Sequence, residues 1–224
     1  MNGIAELEYE LEQINTCKKR RSYLFVKRAI DIICSLFAII LLSPIYLIIA
    51  LAVYISDPGK VLYGQTRVGK NGVTFSMWKF RSMYIGSDKM IDKLSPEQIQ
   101  QYKTEFKIDN DPRITKVGKI IRKLSLDELP QFVNVLKGEM SLVGPRPIIE
   151  SEIKTYYSKS YKKLLSVKPG VTGYWQAYAR NNATYQSGER QRMEMYYIDN
   201  ASLLLDIKIL FQTVISVLKK NGAQ

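Results

Sequence analysis

The chain contains no histidine. That absence excludes Ser-His-Asp triads, Cys-His dyads, histidine general bases and His-ligated zinc in one step. Cysteine is nearly missing too. Cys17 and Cys34 are too few for a disulfide framework or a four-cysteine metal site. Cys34 falls inside an apolar run, where a small buried thiol is expected. No G-x-G-x-x-G fingerprint occurs, which argues against a dinucleotide-binding domain. Any catalysis therefore falls to carboxylates, Lys and Arg, hydroxyls or a hard metal.

What is present is a chain of 224 residues, 46% apolar and 24% charged, long enough to bury a real core. Thirty-three Lys+Arg against twenty-one Asp+Glu give +12. The first sixteen residues hold four Glu and no base, which leaves +16 on the remainder. A field of that sign favours polyanions: nucleic acid, anionic lipid or a phosphorylated substrate.

Ile4, Leu7, Leu11 and Ile14 recur at helical spacing among acidic residues, predicting a short amphipathic helix. A basic cluster follows (Lys18, Lys19, Arg20, Arg21, Lys27, Arg28), and then Ile32 to Ile55 runs without a charge. Such a helix is about 36 Å long, against ~30 Å of hydrocarbon core. Ser43-Pro44 sits at its midpoint, where proline removes a backbone hydrogen bond and bends the helix. Both flanks are basic, so a single span would place one of them outside. A helix that enters, bends at Ser43-Pro44 and returns keeps both inside, and this re-entrant reading is preferred to a straight span or a soluble core helix.

Further on, Val61–Gly69 and Val73–Phe80 flank Asn71-Gly72 and read as a β-hairpin. Residues 88–107 read as a surface helix or lid, and 109–112 as a turn. Ile114, Val117, Ile120, Ile121 and Leu124 define one apolar face opposite Lys116, Lys119, Arg122 and Lys123. Leu203, Ile207, Leu210, Val214 and Val217 form an apolar stripe, interrupted by Asp206 and Lys208, on a helix that lies on the protein body or in the membrane interface. The expected fold is helix-rich α+β. Its parts are an acidic helix and basic cluster over 1–21, a re-entrant helix over 22–56 and a catalytic domain over 57–224.

Gly64-x-x-x-x-Gly69-Lys70-Asn71 nearly matches a phosphate-binding P-loop, but Asn71 replaces the required Ser/Thr and a hairpin follows instead of a helix. The segment Ser125-Leu126-Asp127-Glu128-Leu129-Pro130-Gln131 is more informative. One reading is capping: Ser125 and Glu128 as a capping box, or Asp127 as N-cap with Pro130 in the first turn. The other is chemical, and the two are compatible. Two adjacent carboxylates at a helix N-terminus sit amid Arg113, Lys119, Arg122, Lys123 and Arg146. Positive charge keeps such carboxylates ionised and holds phosphates nearby. An Asp there can attack phosphorus, and its Glu neighbour can ligate a hard cation. Gly144-Pro145-Arg146-Pro147 is a stiff turn presenting one Arg, suited to clamping phosphate. Lys79 and Arg81, at the second hairpin strand, are further candidates. Lys168–Gln176, punctuated by glycine and rich in aromatics, suits a pocket that stacks a base or sugar.

Taken together these segments resemble the bacterial sugar transferase family, the monotopic polyprenyl-phosphate phosphoglycosyl transferases. The resemblance is carried by Lys27-Arg28-x-x-Asp31, Ser43-Pro44, Gly64-Gln65-x-Arg67-x-Gly69 and Lys79-Phe80-Arg81-Ser82-Met83. It continues through Asp111-Pro112-Arg113-Ile114-Thr115-Lys116-x-Gly118, Leu126–Gln131, Ser141–Pro147 and Lys168–Gly173, in matching order from about residue 24 to 219. The acidic helix lies outside it. The multi-span module of larger relatives is not in this chain, so the expectation is a catalytic unit.

The resemblance implies transfer of a sugar-1-phosphate from a nucleotide sugar, usually a UDP-sugar, to undecaprenyl phosphate, releasing UMP. This would be the first membrane step of surface polysaccharide or glycoconjugate synthesis. It implies Asp127 as the nucleophile of a covalent phosphosugar intermediate and Glu128 as the Mg2+ ligand. Arg122 and Arg146 fall on phosphate-binding arginines, and Lys79 on a basic residue lining the site. It also implies a re-entrant helix kinked at Ser43 and Pro44, and a site on the cytoplasmic face of the bacterial inner membrane. The partners are then nucleotide sugar, undecaprenyl phosphate and membrane lipid rather than nucleic acid, with a homo-oligomer left open. The alternative is a basic, membrane-associated nucleic-acid-binding or interaction protein, which leaves the Asp-Glu pair without a role.

Overall fold

The structure, a computed structural model, describes residues 21–105, 108, 110–179 and 183–218. The amphipathic segment at 1–16, Lys18 to Arg20 and Asp109 lie outside the described residues.

Helix α1 (Arg21–Leu41) and helix α2 (Ser43–Ser56) are separated only by Leu42. They meet at a 62° bend. Pro44 has no N–H to offer the carbonyl four residues back, which belongs to Ile40. The Ser43 hydroxyl donates to that carbonyl instead, at 2.8 Å. The Ser-Pro pair thus breaks the helix and satisfies the acceptor it orphans. Among the described residues no single helix is long and apolar enough to cross a membrane, but this bent pair passes that test jointly.

One side of α1 is a polar docking face. Lys27 pairs with Asp206 at 2.8 Å. Arg28 donates from both Nη atoms to the carbonyls of Val135 and Leu136, at 2.6 and 2.8 Å. Buried Asp31 accepts from the Leu142 amide at 2.9 Å and from the Ser141 hydroxyl at 3.1 Å. The Lys27-Arg28-x-x-Asp31 spacing thereby places three charged groups on the face of α1 that meets the body. The other side carries exposed Phe25, Ile33, Phe37, Ile40 and Leu41. Cys34 is exposed on it as well, contrary to the buried thiol expected, because its apolar run looks outward rather than into a core.

Strands β1 (Leu62–Val68) and β2 (Thr74–Phe80) form the expected antiparallel hairpin, with Leu62 opposite Phe80 and Val68 opposite Thr74. Asn71 and Gly72 both have positive φ, 58° and 80°, as the turn chemistry requires. Gly64 to Val68 run along β1, and only a 3-10 turn (Lys70–Gly72) separates it from β2 where a P-loop has an α-helix, so the P-loop likeness has no structural counterpart. A 3-10 turn (Ser87–Lys93) and α3 (Pro96–Glu105) occupy the charged stretch. Helix α4 (Lys116–Lys123) buries Ile121 against Ile49, Val53 and Phe80. Ile120 and Leu124 of the same predicted face are exposed. The helix is only two turns long, and the shallow α2–hairpin surface covers just part of its apolar side.

Helix α5 (Gln131–Lys137) is pinned to β2 by Asn134, fully buried, which accepts from the Trp78 amide at 3.0 Å and donates to the Ser76 carbonyl at 2.7 Å. Strand β3 (Ser141–Val143) pairs in parallel with β4 (Gly170–Thr172). Between them lie α6 (Glu150–Tyr156) and α7 (Tyr161–Leu164). Helices α8 (Tyr174–Tyr178), α9 (Glu189–Asn200) and α10 (Leu203–Leu218) complete a helix-rich α+β fold. The main core lies around Val135, Met140, Val143, Tyr157, Ile198 and Ile209. On α10 the inward face runs through Asp206 and Ile209, whereas Leu204, Ile207, Phe211 and Val214 are exposed. Of the predicted stripe, Leu210 packs against the core while Ile207 and Val214 lie on the open apolar face.

Candidate active site

The Asp-Glu pair lies in a sharp reversal between α4 and α5. Ser125 takes a left-handed conformation (φ 55°), Leu126–Glu128 form one 3-10 turn, and α5 begins only at Gln131 with Pro130 at its N-cap position. Neither capping reading holds, because the Ser125 side chain makes no cap hydrogen bond to the turn it precedes and Asp127 stands ahead of the helix. Proline suits that entry, since its φ is preset and its missing N–H is not needed. The reversal is held from the α2 side, where the Tyr46 hydroxyl donates to the Leu129 carbonyl at 2.5 Å. The Tyr46 ring in turn meets Phe80 edge-on, with centroids 5.5 Å apart.

Four of the predicted residues converge here. Asp127 is buried, at 8% exposure. Glu128 pairs with Lys79 at 3.1 Å, and both side chains reach solvent. Arg122 donates from Nε to the Ser82 hydroxyl at 2.8 Å, and its charge interacts with the carboxylates of Asp127 and Asp111. The strand-like contact of Met83 with Ile114 brings Ser82 and α4 together, and a Cβ on Gly118 would strike the Ser82 carbonyl. Only glycine permits this approach. Burial pushes the Asp127 carboxyl up to about 6, with Glu128 adding to the rise while Lys79 and Arg122 oppose it. Desolvation therefore outweighs the cations that were expected to hold it fully ionised, yet at neutral pH the anion still predominates.

The other predicted bases have different surroundings. Arg113 is locked to Asp111 through two nitrogens, at 2.9 and 2.7 Å, and this pair adjoins Arg122 electrostatically. Arg81 is turned to Asp57 beyond the end of α2, donating to its carbonyl and lying 3.6 Å from its carboxylate. Arg146 is the one residue of Ser141–Ile148 that is not buried. Its backbone amide donates to Glu194 at 3.1 Å and its guanidinium carbon lies 5.7 Å from the Trp175 ring centre. Trp175, expected to line a stacking pocket, is instead buried, donating to the Ala183 carbonyl at 3.2 Å. Tyr46, Arg190 and Glu194 escaped the sequence reading, and Ser82 entered it only as part of the Lys79–Met83 motif. The only available hint was the i,i+4 spacing of Arg190 and Glu194.

Among the described residues no three His, Cys, Asp or Glu side chains converge as a metal cage. Asp127 and Glu128 nonetheless offer two adjacent carboxylates, one of them solvent-accessible. Mg2+ characteristically keeps several waters and takes one or two carboxylates plus substrate phosphates, so this donor set fits it.

Residues 22–220 match the family described as bacterial sugar transferase, and the chain belongs to that family. It is 45% identical over 219 residues to an uncharacterized sugar transferase of Haemophilus influenzae, covering 96% of this chain and 46% of that protein. Over 226 residues it is 42% identical to the undecaprenyl-phosphate galactose phosphotransferase of Salmonella typhimurium, covering 100% of this chain and 47% of the relative. Over 200 residues it is 42% identical to the exopolysaccharide production protein ExoY of Sinorhizobium fredii, covering 88% and 87%. The chain thus spans about half the length of the first two relatives and most of the third.

Proposed function

We propose that this protein transfers a sugar-1-phosphate from a UDP-sugar to undecaprenyl phosphate, releasing UMP, through a covalent intermediate on Asp127. The observation that carries the reading is a buried, mostly ionised aspartate beside an accessible glutamate, bracketed by Lys79 and Arg122. The names of the relatives support the substrate class: an undecaprenyl-phosphate galactose phosphotransferase, and a UDP-glucose:undecaprenyl-phosphate glucose-1-phosphate transferase of Escherichia coli that is 41% identical over 194 residues.

In the first step an Asp127 carboxylate oxygen attacks the sugar-bearing phosphorus. The bond from that phosphorus to the bridging oxygen breaks, and UMP departs with the electron pair. In the second step an oxygen of undecaprenyl phosphate attacks the same phosphorus, the bond to Asp127 breaks and the carboxylate is restored. Burial strips water from the nucleophile, while Lys79 and Arg122 offset the phosphate charge gathering beside it. Glu128, with Asp127, would hold a Mg2+ ion, which when bound supplies further charge neutralisation to the phosphates.

The bent pair α1–α2 serves as a re-entrant membrane element, with the site at the cytoplasmic interface, where a soluble donor and a lipid acceptor both have access. The exposed apolar faces of α1 and α2 and the basic body support this placement.

The test is UMP release by protein in nanodiscs given undecaprenyl phosphate, Mg2+ and a panel of UDP-sugars, beside Asp127→Asn. UMP from one or more donors, lost in the variant, is the expected result. Release of inorganic phosphate without a lipid acceptor would assign a phosphatase instead.

A further inference from the structure

Glu194 is the most deeply buried carboxyl in the described structure that the proposed chemistry leaves unused, at 1% exposure. It lies on α9 one turn beyond Arg190, on the same face. Its Oε1 accepts the Arg146 backbone amide at 3.1 Å, while its Oε2 has no hydrogen-bond partner. Arg190, itself buried, has its guanidinium carbon 4.0 Å from the Trp175 ring centre and 3.9 Å from that of Tyr185. Its Nε and Nη2 make no hydrogen bond. Buried groups left so poorly satisfied are costly and persist where they serve a purpose.

The neighbouring Gly144–Pro147 loop is tied down from several sides. The Gly144 amide donates to the Thr172 carbonyl at 2.9 Å, and the Gly170 amide to the Pro145 carbonyl at 2.8 Å. Pro147 offers its carbonyl to Arg67 at 3.2 Å, and Arg67 pairs with Glu152 at 3.3 Å. Glu194 supplies the anchor at Arg146 itself. Above this fixed backbone the Arg146 guanidinium has no salt bridge or side-chain hydrogen bond among the described residues. It shares the Trp175 ring with Arg190, whose like charge opposes its collapse inward.

We infer that Glu194 and Arg190 are positioning residues for Arg146: they hold the Gly144–Pro147 turn and hold the Arg146 guanidinium outward, ready for an anionic group of the nucleotide sugar. This rests on the transferase reading for the identity of the ligand.

Equilibrium binding of UDP-galactose and UDP-glucose to full-length Asp127→Asn protein in nanodiscs separates the two ideas, because no turnover is needed. Into this parent go Arg146→Ala, Glu194→Gln and Glu194→Asp, and the double variants with Arg146→Ala. Gln keeps an acceptor for the Arg146 amide and should bind within about twofold of the parent. Asp withdraws the acceptor by one methylene and should weaken binding about tenfold, as for a lost hydrogen bond in a charged setting. With Arg146 already truncated, Glu194→Asp should add nothing. A tenfold loss in both backgrounds would overturn the inference, since Glu194 would then act independently of Arg146. So would equal damage from Gln and Asp, or a parent that binds neither sugar nucleotide. UMP release by the unmutated protein is measured separately and bears on the transferase reading alone.

Discussion

Two buried carboxyls, Asp127 and Glu194, are both pushed well above the ordinary carboxylate range, to about 6 and about 7. Burial is the first cause in each, with cations opposing it. They differ in access. Asp127 sits in a single 3-10 turn beside Lys79 and Glu128, whose side chains reach solvent. Glu194 is sealed inside a helix face, bonded to a backbone amide. A raised pKa therefore marks desolvation, not function. What separates the proposed nucleophile from the proposed anchor is whether a phosphate can reach the carboxyl and find cations there.

The largest effect is expected from Asp127→Asn, which should lower UMP release by at least about a thousandfold, as expected for a lost nucleophile. Glu128→Gln comes next. It should cost about ten- to a hundredfold and raise the Mg2+ concentration needed for half-maximal rate, read from a metal titration. Tyr46→Phe removes only the hydroxyl that holds the Leu129 carbonyl. It should lower kcat about fivefold, the equivalent of one hydrogen bond, with the KM for nucleotide sugar unchanged. An equal effect on both parameters would place Tyr46 in substrate binding rather than in shaping the reversal.

The smallest effect is on stability. A carboxyl whose folded value lies above its unfolded one binds its proton more tightly in the folded state, so stability falls as pH rises through the interval between the two. For Glu194 that interval runs from 4.5 to about 7. Asp127 contributes the same sign from 3.8 to about 6. Glu194→Gln should flatten the decline in melting temperature between about pH 5 and 7.5, leaving only the Asp127 share. A decline as steep as in the unmutated protein would show that Glu194 does not take up its proton in this range.

Much of this was legible because it is local. Ser43-Pro44 announces a break by covalent chemistry alone, and Asn71-Gly72 announces a hairpin by its conformational freedom. Asp127, Glu128, Lys79 and Arg122 could be named together, although the 3-10 geometry that joins them could not. Partner choice was not legible. Arg81 and Arg113 carry the same charge as Arg122, yet each has a carboxylate of its own, in Asp57 and Asp111. Facing was equally hidden: Cys34, Ile120 and Leu124 look outward because the surfaces meeting their helices are narrow. Glu194 is anchored to a residue 48 positions away, a pairing that only the assembled fold creates.

Intact-protein mass spectrometry reads covalent chemistry at Asp127 without relying on turnover. Protein incubated with a UDP-sugar and Mg2+, without any lipid acceptor, should release about one UMP per chain and gain one sugar-phosphate. Fragmentation should map the adduct to the peptide containing Asp127, and later addition of undecaprenyl phosphate should discharge it. UMP release that needs both substrates together, with no adduct at any stage, would contradict a covalent intermediate on Asp127.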